Sequence, residues 1–127
     1  MTKQLVISGN IKLTDSTLTE TDVSSEAISI AETYTEVTVQ DVSVAAAATD
    51  QALNFGGVGS DAPLLIIVPT YTDGGEEYMT AKVNGGTDNI PFGKMLVLGG
   101  NGTGIDSITV TNPDSSNSVQ LKFYVCS

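Results

Sequence analysis

The chain has no histidine, no arginine and no tryptophan, and a single cysteine among its 127 residues. Each absence closes a class of chemistry. Without histidine, neither a Ser-His-Asp triad nor a Cys-His pair can be assembled. A structural zinc site takes four Cys or His ligands, and Cys126 is the sole candidate. Iron–sulfur clusters and histidine-ligated haem fail on the same count. The lack of arginine removes the bidentate grip on phosphate. Five scattered cations, Lys3, Lys12, Lys82, Lys94 and Lys122, face fifteen acids, and the formal charge is −10. A phosphate backbone would repel such a chain, so no nucleic-acid partner is expected. One cysteine precludes an intrachain disulfide and fits synthesis in a reducing compartment. A strand-end thiol with no redox task is the simplest account of Cys126.

Long apolar runs are also missing. Leu5-Val6-Ile7 is far shorter than a signal-peptide core. The longest run, Leu64-Leu65-Ile66-Ile67-Val68 between Pro63 and Pro69, falls well below the roughly 18 residues of a membrane-spanning helix and suits a buried strand. The expectation is a cytoplasmically made protein with no membrane partner.

What is present supports a folded β-domain. Leu, Ile, Val and Phe supply 34 residues, above the level at which acidic chains stay disordered. A chain of this length buries about two-thirds of its unfolded surface, enough for one core. The dominant period is two. Val119, Leu121, Phe123 and Val125 alternate with Gln120, Lys122 and Tyr124; Ile108 and Val110 with Thr109 and Thr111; Met79, Ala81 and Val83 with Tyr78, Thr80 and Lys82. Leu5, Ile7, Ile11 and Leu13 keep one phase across Gly9. Val37 and Val39 change phase to Val42 and Val44, which predicts a bulge or strand boundary at Gln40-Asp41.

Turn chemistry separates the runs at Asp73-Gly74-Gly75, Asn84-Gly85-Gly86, Gly99–Gly102 and Asn112-Pro113-Asp114. Sixteen threonines favour extended backbone. The stretch 44–53 is the one helix-friendly segment and predicts a helical turn or two. Together these features predict an all-β fold, an antiparallel β-sandwich of jelly-roll type. Residues 34–127 are assigned to the sandwich and residues 1–33 to an N-terminal segment or arm. Within that segment, residues 14–27 are polar enough for a solvated loop. Leu5–Leu13 is expected to pair within the body, with addition to a neighbouring chain as the alternative.

Candidate sites are weak when weighed against simpler explanations. The loop Gly99–Gly104 lacks the GxGxxG spacing and leads into a predicted strand, Ile105–Thr111. A phosphate cradle needs a helix N-terminus there, so a plain loop is expected. Asp73, Glu76, Glu77, Asp88 and Asn89 gather oxygen ligands that could suit Ca²⁺, but no EF-hand spacing is present and solvated turn carboxylates are the better explanation. Among fifteen acids, some pair at glycosidase separation is expected by chance. Tyr34, Tyr71, Tyr78 and Tyr124 leave a carbohydrate-binding surface open. Asn101-Gly102-Thr103 matches a glycosylation sequon, which carries no weight without secretion. No catalytic, cofactor-binding or metal-ligating residue is assigned, no cofactor is expected, and the chain is not read as an enzyme.

Residues 78–125 have a further cadence. A strand ends in Asn84-Gly85-Gly86, Pro91-Phe92-Gly93 leads to an apolar strand, and Ile108-Thr109-Val110-Thr111-Asn112-Pro113 precedes a final alternating strand. This portion, about 40% of the chain, resembles the small β-rich structural proteins of tailed bacteriophages, in particular capsid decoration or cement proteins. The resemblance implies a virion protein on the capsid exterior that binds the major capsid protein and braces adjoining capsomers as a homo-oligomer, a trimer being favoured. The acidic, highly soluble composition is compatible with that role. The N-terminal segment is expected to make much of the intersubunit contact. The alternative is a glycan- or host-recognition β-sandwich of a phage tail or fibre.

Overall fold

Where apolar residues alternate in the sequence, strands form with one face closed. The C-terminal run becomes a strand that buries Val119, Leu121, Phe123 and Val125 and leaves Gln120 and Lys122 exposed. The computed structural model describes residues 3–14, 22–59, 61–72, 74–99 and 104–127. The chain divides into two compact units, Met1–Thr35 and Glu36–Ser127.

The first unit holds β1 (Lys3–Thr14) and β2 (Asp22–Tyr34), which pair antiparallel in a two-stranded sheet of their own. The register runs from Lys3 opposite Tyr34 to Leu13 opposite Ser24, with a shift at Thr14. Two expectations are corrected here. The Leu5–Leu13 stretch pairs with β2, not with a strand of the sandwich. The solvated loop expected over residues 14–27 is strand at Thr14 and from Asp22 onward, while residues 15–21 lie outside the described residues. The period-two signal of β2 at Ile28 and Ile30 is short, and polar flanks hide it in sequence.

The second unit is an all-β sandwich. Its strands are β3 (Val37–Val44), β4 (Gln51–Ala52), β5 (Leu64–Thr70), β6 (Met79–Val83), β7 (Ile90–Phe92), β8 (Leu96–Gly99), β9 (Ile108–Thr111) and β10 (Val119–Cys126). One antiparallel sheet has the order β3-β10-β5-β8 and the other β4-β9-β6-β7. The first strand pairs with the last, β4 with β9, β5 with β8 and β6 with β7. These nested pairs make one long hairpin that folds over itself, and contacts of β10 with β5 and of β6 with β9 close the two sheets. That is the jelly-roll arrangement.

The tip of the long hairpin is the turn after β6. Asn84 and Gly85 both have positive φ, 53° and 70°, and the Gly86 N–H donates to the Val83 carbonyl at 2.9 Å. Two successive positive φ values give the primed turn that matches strand twist. Between the sheets, Leu65, Ile67, Leu96, Leu121 and Phe123 meet Met79, Ala81, Phe92, Ile108 and Val110 in one core. Truncating a ring as fully enclosed as Phe123 costs about 3–5 kcal/mol.

Three local expectations fail. β3 is regular: its pairing with β10 runs without a break from Val44–Val119 to Val37–Cys126. The apparent phase slip arises because Val39 points outward. The stretch 44–53 forms no helix. Ala47 has φ 58° and donates its N–H to the Asp114 carbonyl at 2.7 Å, so a turn carries the chain to β4. The strand predicted over Ile105–Thr111 begins at Ile108, and Ile105 makes an isolated bridge to Ala62. No helix of the described residues is long and apolar enough to cross a membrane.

Candidate functional site

The two outer faces of the sandwich differ in chemistry. On the sheet β4-β9-β6-β7 the outward positions of β6 and β9 are Thr80, Lys82, Thr109 and Thr111. Lys82 lies 3.1 Å from Asp50, and the Asp50 N–H donates to the Thr111 hydroxyl at 3.0 Å. This is an ordinary solvated sheet face.

The outer face of β3-β10-β5-β8 is apolar over most of its extent. One cross-strand row runs Val39, Tyr124, Ile66, Val97 across all four strands. A neighbouring row is Val37, Cys126, Leu64, Gly99, in which Cys126 and Leu64 are buried, as is Ile66 of the first row, so the exposed apolar part of the face is carried by other positions. The next row in the other direction is Asp41, Lys122, Val68, and Met95 precedes β8. Beyond it Ser43, Gln120 and Thr70 end the face in polar groups, and Gln120 donates to the Ser43 hydroxyl at 3.0 Å. Val39 is 49% exposed, Met95 54%, Val97 40% and Val68 37%. Four large apolar side chains exposed on one sheet face form a patch of the kind that marks an interaction surface. Its only charges among these rows are Lys122 and Asp41, which are paired in register across β10 and β3.

A polar network stands at one end of the sandwich. Asn112 and Asp114 are buried, at 1% and 6% exposure. The Asn112 amide donates to the Ala45 and Asn117 carbonyls, at 3.1 and 2.8 Å. The Asp114 carboxylate accepts from the backbone N–H groups of Ser116, Asn117 and Glu76 and from the Asn117 amide, at 2.8–3.1 Å. These donors, led by Ser116 and Glu76, lower the Asp114 pKa to about 2. Three connections are thereby tied together: the one after β3, the one between β5 and β6, and the one between β9 and β10. Every acceptor position of Asp114 is spent on the fold, so this carboxylate braces loops and has no capacity for proton transfer near neutral pH.

The remaining sequence candidates disperse. Glu76, Glu77, Asp88 and Asn89 are exposed, and Glu77 lies 3.6 Å from Lys94 at the surface. Asp73 lies outside the described residues. Among those described, no three acidic or Cys side chains gather as a metal site. Residues 100–103, with most of the glycine-rich loop and the sequon, also lie outside. Gly104 is described, and its role is steric, since a Cβ there would stand 2.2 Å from the Asp61 Cα. Tyr71 donates its hydroxyl to the Gly93 carbonyl at 2.7 Å, and burial, then the Glu77 charge, raises its pKa. Tyr78 is exposed and Tyr124 is half-buried in the apolar row. Cys126 is fully enclosed, and burial raises its thiol pKa.

Sequence reasoning missed both the apolar outer face and the Asp114 network. Asn112-Pro113-Asp114 read only as a turn. The outward apolar residues could have been found by noting that Val39, Tyr124, Ile66 and Val97 occupy the polar phase of their strands. Comparison with family models, with curated proteins and with solved structures gives no match.

Proposed function

We propose that the protein is a virion structural component that binds the outer surface of a tailed-phage capsid and stabilises contacts between capsomers, without catalysis. The observation that carries the reading is the asymmetry of the jelly-roll body. One outer sheet face is polar, and the other exposes Val39, Val68, Met95 and Val97 around Tyr124. An apolar face of this kind suits docking on a protein surface that is itself extended and repeated. The cadence of residues 78–125, with its likeness to decoration proteins, supports the major capsid protein as that surface. A shell-bound protein stabilises by mass action: it binds the assembled shell and not its separated subunits, so disruption becomes harder as sites fill. Oligomerisation, with a trimer favoured, would match local three-fold positions on such a shell.

Co-sedimentation of the full chain with capsids lacking it tests the reading. Saturable binding at a fixed number of copies per shell is expected. Absence of binding to shells, with retention on host polysaccharide, would move the assignment to a tail or fibre recognition module.

A further inference from the structure

β3 is an edge strand of the sheet that carries the apolar face, and among the described residues nothing pairs with its outer side. Strand parity fixes which backbone groups lie there. The Ser127 N–H donates to the Glu36 carbonyl at 2.9 Å, so the even-numbered residues of β3 bond to β10. Val37, Val39, Asp41 and Ser43 therefore aim their N–H and C=O groups away from the sheet. The Ser43 carbonyl already accepts from the Gln51 amide at 3.2 Å, which closes that end. The open stretch is Val37, Val39 and Asp41, and it is symmetric about Val39. Gly56, in the 3-10 turn Gly56–Val58, lies against the inward Thr38 and Gln40 side chains. Among the described residues that turn makes no backbone bond to the three open ones. Natural edges are blunted by lysine, proline, a bulge or short length. β3 has eight residues, VTVQDVSV, with none of these devices and with regular pairing throughout.

We infer that β3 pairs antiparallel with β3 of a second copy across a two-fold axis at Val39. In that register Val39 faces Val39 of the other chain, and Val37 faces Asp41. The open residues of the two chains then exchange about six backbone hydrogen bonds. Other symmetric registers are poorer. A centre at Gln40 calls on the Ser43 carbonyl, which Gln51 holds. A centre at Asp41 sets two carboxylates directly opposite each other, whereas the Val39 centre keeps them roughly 14 Å apart. The edge is thus complementary to itself in charge and in hydrogen-bonding pattern. The pairing also joins the two apolar faces. The row Val39, Tyr124, Ile66, Val97 continues into its copy through the facing valines, so one face spans both four-stranded sheets. The contact is isologous. Alone it gives a dimer, and combined with the three-fold association proposed above it gives an even number of chains. The inference goes beyond the capsid reading and needs no capsid.

The test uses the full chain in solution. Sedimentation equilibrium of the wild type is expected to give a dimer or an even multiple of it. Val39→Pro removes the central outward N–H without removing a bond to β10, and should weaken association about tenfold or more. Val39→Lys keeps the backbone and sets two cations opposite each other, so it should weaken association similarly even where proline disturbs the strand. Cross-linking reads the register. Val39→Cys places two thiols on Cα atoms about 5.5 Å apart, within disulfide reach, while Asp41→Cys places them far outside it. Oxidised glutathione should yield a covalent dimer from the first variant and not from the second, the native Cys126 being buried in both. A monomeric wild type, an odd-numbered oligomer, association indifferent to Val39→Lys, or equal cross-linking at both positions would each overturn the inference. None of these outcomes decides capsid binding, which is read separately by co-sedimentation.

Discussion

Gly104 packs against the backbone of Asp61 so closely that a Cβ on it would stand 2.2 Å from the Asp61 Cα and 2.3 Å from its carbonyl carbon. Backbone on backbone leaves no flexible side chain to yield. The contact flanks the bridge in which Ala62 and Ile105 exchange N–H···O bonds of 3.0 and 2.8 Å. Gly104→Ala must part these segments, and we expect a loss of about 2–3 kcal/mol by chemical denaturation. Gly59→Ala provides the contrast. Nothing lies within 4 Å of its Cβ position, and its only penalty is its φ of 76°.

Asn84 braces the same end of the sandwich. Its side-chain oxygen accepts from the Asp106 and Ser107 N–H groups at 2.7 and 3.2 Å, and its amide donates to the Gly104 carbonyl at 3.1 Å. Asn84→Ala loses these bonds and a residue tolerant of positive φ, at about 1–2 kcal/mol. Asn84→Asp keeps the acceptor and is expected to cost less. Thermal unfolding of the two variants ranks them.

Asp114 makes part of the fold's stability sensitive to acid. Its folded pKa of about 2 lies below the ordinary 3.8, so the folded chain binds less proton than the unfolded one between those values. The stability it contributes is fully present above the unfolded value and is lost as pH falls through the folded one. Asp114→Asn should lower stability at neutral pH and flatten its dependence on pH between about 4 and 2. Denaturant midpoints measured across that window check the sign.

Cys126 has a fully enclosed thiol, and burial disfavours its thiolate. A thiol reagent should modify it at a rate set by opening of the structure, rising in step with denaturant. Rapid labelling of the native chain would contradict that placement.

The outer apolar face separates binding from stability. Val39→Asp with Met95→Asp alters exposed positions, so stability should shift by no more than about 0.5 kcal/mol per site. Shell affinity should fall about tenfold or more. Thr80→Asp with Thr109→Asp, on the opposite sheet, should leave it unchanged.

Much of the sandwich was legible because burial on one side of a sheet imposes period two. Val119–Val125, Ile108–Val110 and Met79–Val83 all became strands with the inward phase expected, and Asn84-Gly85 became the turn. The reading failed where a second influence overrides that period. Val39 is apolar yet outward, so it imitated a bulge in a regular strand. The alanines at 45–48 favour a helix locally, but a tertiary hydrogen bond to the Asp114 carbonyl holds Ala47 in a turn. The site was less legible still. An interaction face is a property of rows across strands, and Val39, Tyr124, Ile66 and Val97 become neighbours only through long-range pairing.

The central claim, that this protein stabilises a capsid by docking its apolar sheet face, is tested most directly by the thermal disruption temperature of shells lacking it. Saturating full chain should raise that temperature, and the Val39→Asp, Met95→Asp variant at the same concentration should not. No rise with the wild type would contradict the capsid role, and an equal rise with the variant would contradict the assigned face.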